Sequence, residues 1–166
     1  MVNELKKILK SIKGNIIMVS LSDEYKNIII NNKNITSIYT LDRRLFSKNN
    51  KDNIKINKLK KNYKNKIDYM ICDVNGVNID LNKVIYNTYN VISKKIIYYG
   101  IKDEYDVDRI IKKYERFSFT CNKKIYDNSF ILEINTSKRN VKRLFLYKIK
   151  DLCVDLIEVI GNILFS

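Results

Sequence analysis

The chain predicts an α/β domain of three layers: a mostly parallel sheet between helices, closed by an antiparallel hairpin. Three observations carry this. Short β-branched runs alternate with stretches whose apolar residues recur at helical spacing. The run Ile67-Asp68-Tyr69-Met70-Ile71-Cys72-Asp73 is apolar almost without a break, as a strand covered on both faces is. Near the end, two strand-like runs flank Asp127-Asn128, a hairpin turn. The expected organisation is one domain over 1–137 followed by a long amphipathic helix over 138–166.

The elements follow in order. Residues 2–13 predict a helix with Leu5, Ile8, Leu9 and Ile12 on one stripe, lysines on the other faces and Gly14 as the residue that ends it. Ile16-Ile17-Met18-Val19 is too short for a helix and reads as the first strand. Ser22-Asp23-Glu24 starts a helix that runs to about Asn31, and Ile35 to Leu41 is the second strand. Ile54 and Ile56 offer a short strand, and 67–73 is the clearest strand of all. Asp80 caps a helix from Leu81 to Ser93 with Val84, Ile85, Thr88, Tyr89 and Ile92 inward. Lys95 to Gly100 is a strand ended by its glycine, Asp103 to Arg116 a helix, Phe117 to Tyr126 and Ser129 to Thr136 the closing strands. Helices alternating with strands require crossovers, hence a parallel sheet with helices on both faces.

Composition excludes several chemistries. The 166 residues contain no His, Trp, Pro, Ala or Gln. Without His there is no imidazole base, no His-based triad and no His-containing zinc site. Cys72, Cys121 and Cys153 are far apart and form no CxxC pair, so no metal site is expected and each reads as a small apolar core residue. Unpaired cysteines, no signal peptide at the N-terminus and no long uncharged apolar stretch point to a cytoplasmic protein. Abundant Lys, Asn, Ile and Tyr mark an AT-rich coding sequence, which itself contributes basic charge.

The net charge of +14 is uneven. Residues 1–66 hold 16 Lys and Arg against 5 Asp and Glu, whereas residues 67–137 balance at 10 and 10. The segment 47–66 is densest, and Lys55, Lys58, Lys60, Lys61 and Lys64 are the candidate contacts to a nucleic acid or other polyanion. The plainer reading is a solvated connection, and with Tyr63 alone among them no stacking platform is written there.

In the last segment, apolar residues from Leu144 to Phe165 cover most of a helix, and Lys148, Asp151, Asp155, Glu158 and Asn162 keep to one stripe. Such a helix needs cover. A homodimer partner, its own domain and a membrane interface are the three placements, and the acidic stripe disfavours the last.

The element order, with its closing hairpin, resembles the class I S-adenosylmethionine-dependent methyltransferase fold, a Rossmann-like architecture, over roughly residues 14–137. The resemblance implies a cofactor loop after the first strand, here Ser20 to Asp23, where the family carries glycines and this chain has none. Ser20 and Ser22 would border that ligand, and Ser22 also reads as a helix cap. Asp42, about twenty residues past the first strand, matches the acid that binds ribose hydroxyls, or else pairs with Arg43-Arg44. Asp73 corresponds to the residue near the transferred methyl group and is the candidate catalytic residue, although Asp is also ordinary before a glycine turn. Val74-Asn75-Gly76 departs from the Asn/Asp-Pro-Pro-aromatic motif of the amino-methylating members.

Two functions follow as expectations. The first is a divergent, non-catalytic methyltransferase-like binding or assembly module for a polyanion or protein partner, with no cofactor. The second is an active methyltransferase that uses S-adenosylmethionine on RNA or another anionic substrate. The sequence leaves enzymatic activity open.

Overall fold

The computed structural model describes residues 1–41, 67–75, 84, 85, 88, 91–102 and 106–137. Asp42, the lysines of 47–66, the expected strand at Ile54 and Ile56, and the helix over 138–166 lie outside these residues, as does most of the expected helix 81–93.

Three helices and six strands are described: α1 (Val2–Ser11), β1 (Gly14–Val19), α2 (Asp23–Ile30), β2 (Ile35–Leu41), β3 (Ile67–Asp73), β4 (Ile92–Ile101), α3 (Val107–Glu115), β5 (Thr120–Ile125) and β6 (Ser129–Asn135). The strands form one sheet in the order β2-β1-β3-β4-β6-β5. β2, β1, β3 and β4 are parallel, and β6 runs antiparallel to both β4 and β5. This is the mostly parallel, hairpin-closed α/β sheet that the sequence predicts.

Period-two alternation divides the core into two faces. Ile16 and Met18, Ile71, Ile97 and Tyr99, and Ile131 face the side covered by Leu5 and Leu9 of α1 and Tyr25 and Ile29 of α2. Ile17 and Val19, Met70 and Cys72, Ile96 and Tyr98, and Phe130 to Ile134 at every second position meet Val107, Ile110 and Tyr114 of α3, with the helical Val84 and Ile85. On this second face the Tyr98 and Tyr114 hydroxyls hydrogen-bond at 2.6 Å, so two buried phenols satisfy each other. Cys72 is buried, and burial pushes the Cys121 thiol up to about 12, which disfavours its reactive thiolate.

The edge strand β5 is tied to both layers. Lys123 pairs with Asp108 of α3, while Lys124, pointing the other way, pairs with Glu4 of α1. Lysines on an edge strand also discourage pairing with another chain.

Several sequence boundaries shift. α1 ends at Ser11, and Ile12 is already extended, so Gly14 does not terminate the helix. Gly14 opens β1 with φ +99°, and a Cβ there would lie 2.1 Å from Asp68 Oδ2. The glycine makes room for a carboxylate that accepts the Asn15 N–H at 2.9 Å and the Ser93 hydroxyl at 3.3 Å, and pairs with Lys94 at 2.9 Å. Burial opposes charge on Asp68, but these donors hold its carboxyl below the ordinary value. Ile92 belongs to β4 rather than to the preceding helix, which brings Ser93 and Lys94 to Asp68. α3 starts at Val107, where the Asp106 carboxylate accepts the Arg109 N–H at 2.9 Å and caps it.

Phe117 to Phe119 is not strand. Ser118 takes φ +64° and donates its N–H to Glu115 O at 2.9 Å, while Phe119 N–H reaches Tyr114 O at 3.4 Å. This is a Schellman ending, with Phe119 packed edge-on against Tyr114 at 5.5 Å between centroids. The hairpin at Asp127-Asn128 is present, closed by the Tyr126 N–H to Ser129 O bond at 2.8 Å.

Candidate functional site

The chain leaves β1 for β2 on one side, then returns to β3 on the other, so β1 and β3 are neighbours in the sheet without being consecutive in the chain. At such a switch point the loops beyond the strand ends diverge and leave a crevice at the carboxyl edge, where open α/β sheets bind ligands. The register shows which residues reach it: Val19 stands opposite both Leu41 and Cys72, and Asp73 stands opposite Tyr99. Ser20 therefore emerges beside the tip of β2 on one side and the tip of β3 on the other. The structure brings the described candidates, Ser20, Ser22 and Asp73, to this one edge; Leu41, just before Asp42, ends there as well.

Ser20 is half-buried and takes φ +52°, a left-handed conformation that favours glycine. Its N–H donates to Leu41 O at 3.1 Å, which draws the turn toward β2. The sequence lacks the glycine, yet the backbone adopts the conformation a glycine would serve. Leu21 follows, 3% exposed, and its burial against the sheet helps fix the turn.

Ser22 occupies the N-cap position of α2, but its hydroxyl accepts no capping bond; only its carbonyl takes part, accepting the Lys26 N–H at 3.0 Å. The first turn of α2 carries Asp23 and Glu24, which complement the positive end of the helix.

Asp73 closes β3. One carboxylate oxygen accepts the Asn75 N–H at 3.0 Å, an Asx turn that stops the strand. The Val74 N–H donates to Tyr99 O at 3.1 Å, and Asn75 Oδ1 accepts the Ile101 N–H at 2.7 Å. The turn thus lies on the end of β4, where a Cβ on Gly100 would meet Val74 Cγ2 at 2.7 Å. Gly100 does not end its strand as the sequence reading has it; it admits the β3 turn while β4 continues to Ile101.

Tyr98 and Tyr99 are neighbours in one strand. The fold separates them. Tyr99, 2% exposed, shares a face with Asp73 and packs edge-on against Tyr25 at 5.3 Å. Its hydroxyl has no well-formed hydrogen bond among the described residues, although it lies near the Ser22 backbone N–H. Burial first, then the charge on Asp73, pushes the phenol well above its ordinary value, so it stays protonated. Only the alternation Ile97, Tyr99 against Ile96, Tyr98 signals this in the sequence; the pairing with Asp73 is a matter of register.

Among the described residues no cluster of three or more His, Cys, Asp or Glu is placed to hold a metal ion, and no helix is long and apolar enough to cross a membrane.

No family model matches this chain. No curated protein matches it in sequence. Solved structures do match in fold. A release factor-specific protein-(glutamine-N5) methyltransferase from Alicyclobacillus acidocaldarius superposes with a TM-score of 0.50 at 10% identity, covering 80% of this chain and 88% of that one. An O-methyltransferase family protein from Burkholderia thailandensis gives 0.55 at 6% identity, over 82% of this chain and 56% of that one. A methyltransferase from Geobacter sulfurreducens gives 0.50 at 10% identity, over 80% and 76%. With the strand order and the closing hairpin, these likenesses establish the architecture: the chain has the Rossmann-like fold of the class I S-adenosylmethionine-dependent methyltransferases.

Proposed function

We propose that the chain is a divergent, non-catalytic member of this fold that acts as a binding module for a polyanion. One observation carries the non-catalytic part. At the carboxyl edge, where the fold would receive a cofactor, Tyr99, Tyr25 and Leu21 are packed into the α2 side of the sheet, and the Tyr99 hydroxyl lies near the Ser22 N–H at the start of α2. The backbone donors at a helix start are what such folds offer a ligand; here a side chain of the protein stands beside them. Asp73, the candidate catalytic residue, has a carboxylate oxygen engaged in its own turn. A serine side chain at the position where a ligand needs close backbone approach acts in the same direction. The polyanion part rests on the basic excess of residues 1–66.

Ser20 favours the second reading, an active methyltransferase with S-adenosylmethionine at this edge. Its left-handed backbone, kept without a glycine, is the kind of strain that collects at ligand sites. In that reading Asp42 holds the ribose, Ser20 and Ser22 border the cofactor, and Asp73 orients the acceptor. In-line placement of acceptor and sulfonium would supply most of the rate, so a site without His is no obstacle. Calorimetric titration with S-adenosylmethionine separates the two: absence of binding supports the first reading, and tight stoichiometric binding overturns it.

A further inference from the structure

We propose that a groove at the opposite, amino edge of the sheet is a contact site for single-stranded RNA; this rests on the polyanion part of the reading above and is independent of the cofactor question. The groove, about 420 Å³, runs between the ends of α1 and α2 and is lined by Lys10, Asn27, Ile28, Asn31, Asn32 and Lys33. No acid lines it. Lys6 and Lys26, nearby on the same helices, are neutralised by Glu24 at 2.6 Å and Asp23 at 2.9 Å. Lys10 and Lys33 are exposed and make no ion pair among the described residues.

The floor is rigid. The two hydrogens of the Asn32 side-chain amide are shared among the carbonyls of Leu9 at 3.2 Å, Lys10 at 3.3 Å and Ile12 at 3.0 Å, and its Oδ1 accepts the Asn34 N–H at 3.0 Å. One side chain thus caps the end of α1 and fixes the α2–β2 turn beside it. Exposed Asn27 and Asn31 add amides that can donate to phosphate oxygens or meet base edges. A single strand offers base edges that these amides can meet, which an anionic bilayer surface does not. With no aromatic in the lining, affinity comes from charge, so binding is sequence-tolerant and salt-dependent. The competing role for the two lysines is to offset the negative ends of α1 and α2, which would appear in stability and not in binding.

The test is fluorescence anisotropy with a labelled single-stranded RNA of roughly 12 nucleotides, using the full chain across a salt series, with thermal unfolding of each variant. Lys10→Gln with Lys33→Gln should weaken binding about tenfold near 0.1 M salt and flatten the log–log salt slope by about 1.4. Lys10→Arg with Lys33→Arg should bind as the unaltered protein does. An unchanged affinity and slope in the Gln pair, with or without a lower Tm, overturns the groove and leaves the wider polyanion reading standing. No RNA binding by the unaltered protein overturns the RNA proposal, and the wider polyanion reading falls with it only if heparin, a generic polyanion, is not bound either. Tighter binding to vesicles of anionic lipid, lost in the same Gln pair, would reassign the groove to a membrane surface and overturn the RNA proposal.

Discussion

Tyr99 and Asp73 are register partners at the tips of β4 and β3, and the phenol faces the same side of the sheet as the carboxylate. The pairing places a buried hydroxyl at the carboxyl edge of the sheet with no well-formed partner among the described residues. A polar group held that way gains little from the protein and has lost water. Tyr99→Phe keeps the ring against Tyr25 and removes that hydroxyl. Urea denaturation should show stability unchanged or raised by up to about 1 kcal/mol. A loss of about 1 kcal/mol or more would mean that the hydroxyl is hydrogen-bonded in solution.

Asp68 gives the opposite expectation. It joins three strands at the amino edge: Asn15 of β1 donates to it, and Ser93 and Lys94 of β4 reach it. Asp68→Ala should cost about 1–3 kcal/mol, chiefly because the Asn15 N–H loses its acceptor. The carboxyl is held below its ordinary value in the fold, so its stabilising contribution is complete above the unfolded value of about 3.9 and is lost as pH falls through the lower folded value. The stability gap between wild type and Asp68→Ala should therefore be largest near neutrality and shrink in acid, checked by denaturation at neutral pH and at about pH 3. Gly14→Ala should also destabilise, since its Cβ would strike Oδ2 and its φ is positive. The two substitutions together should cost less than their sum, because removing the carboxylate removes the clash.

Ser118 adopts a left-handed conformation in a Schellman ending that usually carries glycine. Ser118→Gly should stabilise by about 0.5–1 kcal/mol, because relief of the backbone strain exceeds the added entropy of the unfolded chain. Ser118→Ala keeps the Cβ and should give no such gain. Thermal unfolding of both variants decides it.

The strands were legible because β-branched and aromatic residues cluster in short runs, and 67–73 could be placed to the residue. What escaped was set by contacts distant in sequence. Gly14 follows a helical stripe and so resembles a helix terminator; its reason is Asp68, which no local pattern reveals. Ile92 continues the spacing of Val84, Ile85 and Thr88, and only pairing with β3 draws it into a strand. Phe117 and Phe119 look like strand residues because both are large and apolar; the turn between them is made by a serine, so the usual glycine signal is missing. At the site, chain order alone brings Ser20, Ser22 and Asp73 to one edge. The engagement of Asp73 in its own turn, the left-handed backbone at Ser20 and the burial of the Tyr99 hydroxyl depend on register and tertiary packing, which one sequence does not display.

The most direct measurement is isothermal titration calorimetry of the purified chain with S-adenosylmethionine and with S-adenosylhomocysteine. The proposed non-catalytic reading, with Tyr99, Tyr25 and Leu21 packed at the carboxyl edge of the sheet, predicts no binding heat at millimolar ligand. Stoichiometric binding near micromolar affinity, lost in Asp42→Ala, would contradict that account and make the chain a methyltransferase in search of its acceptor.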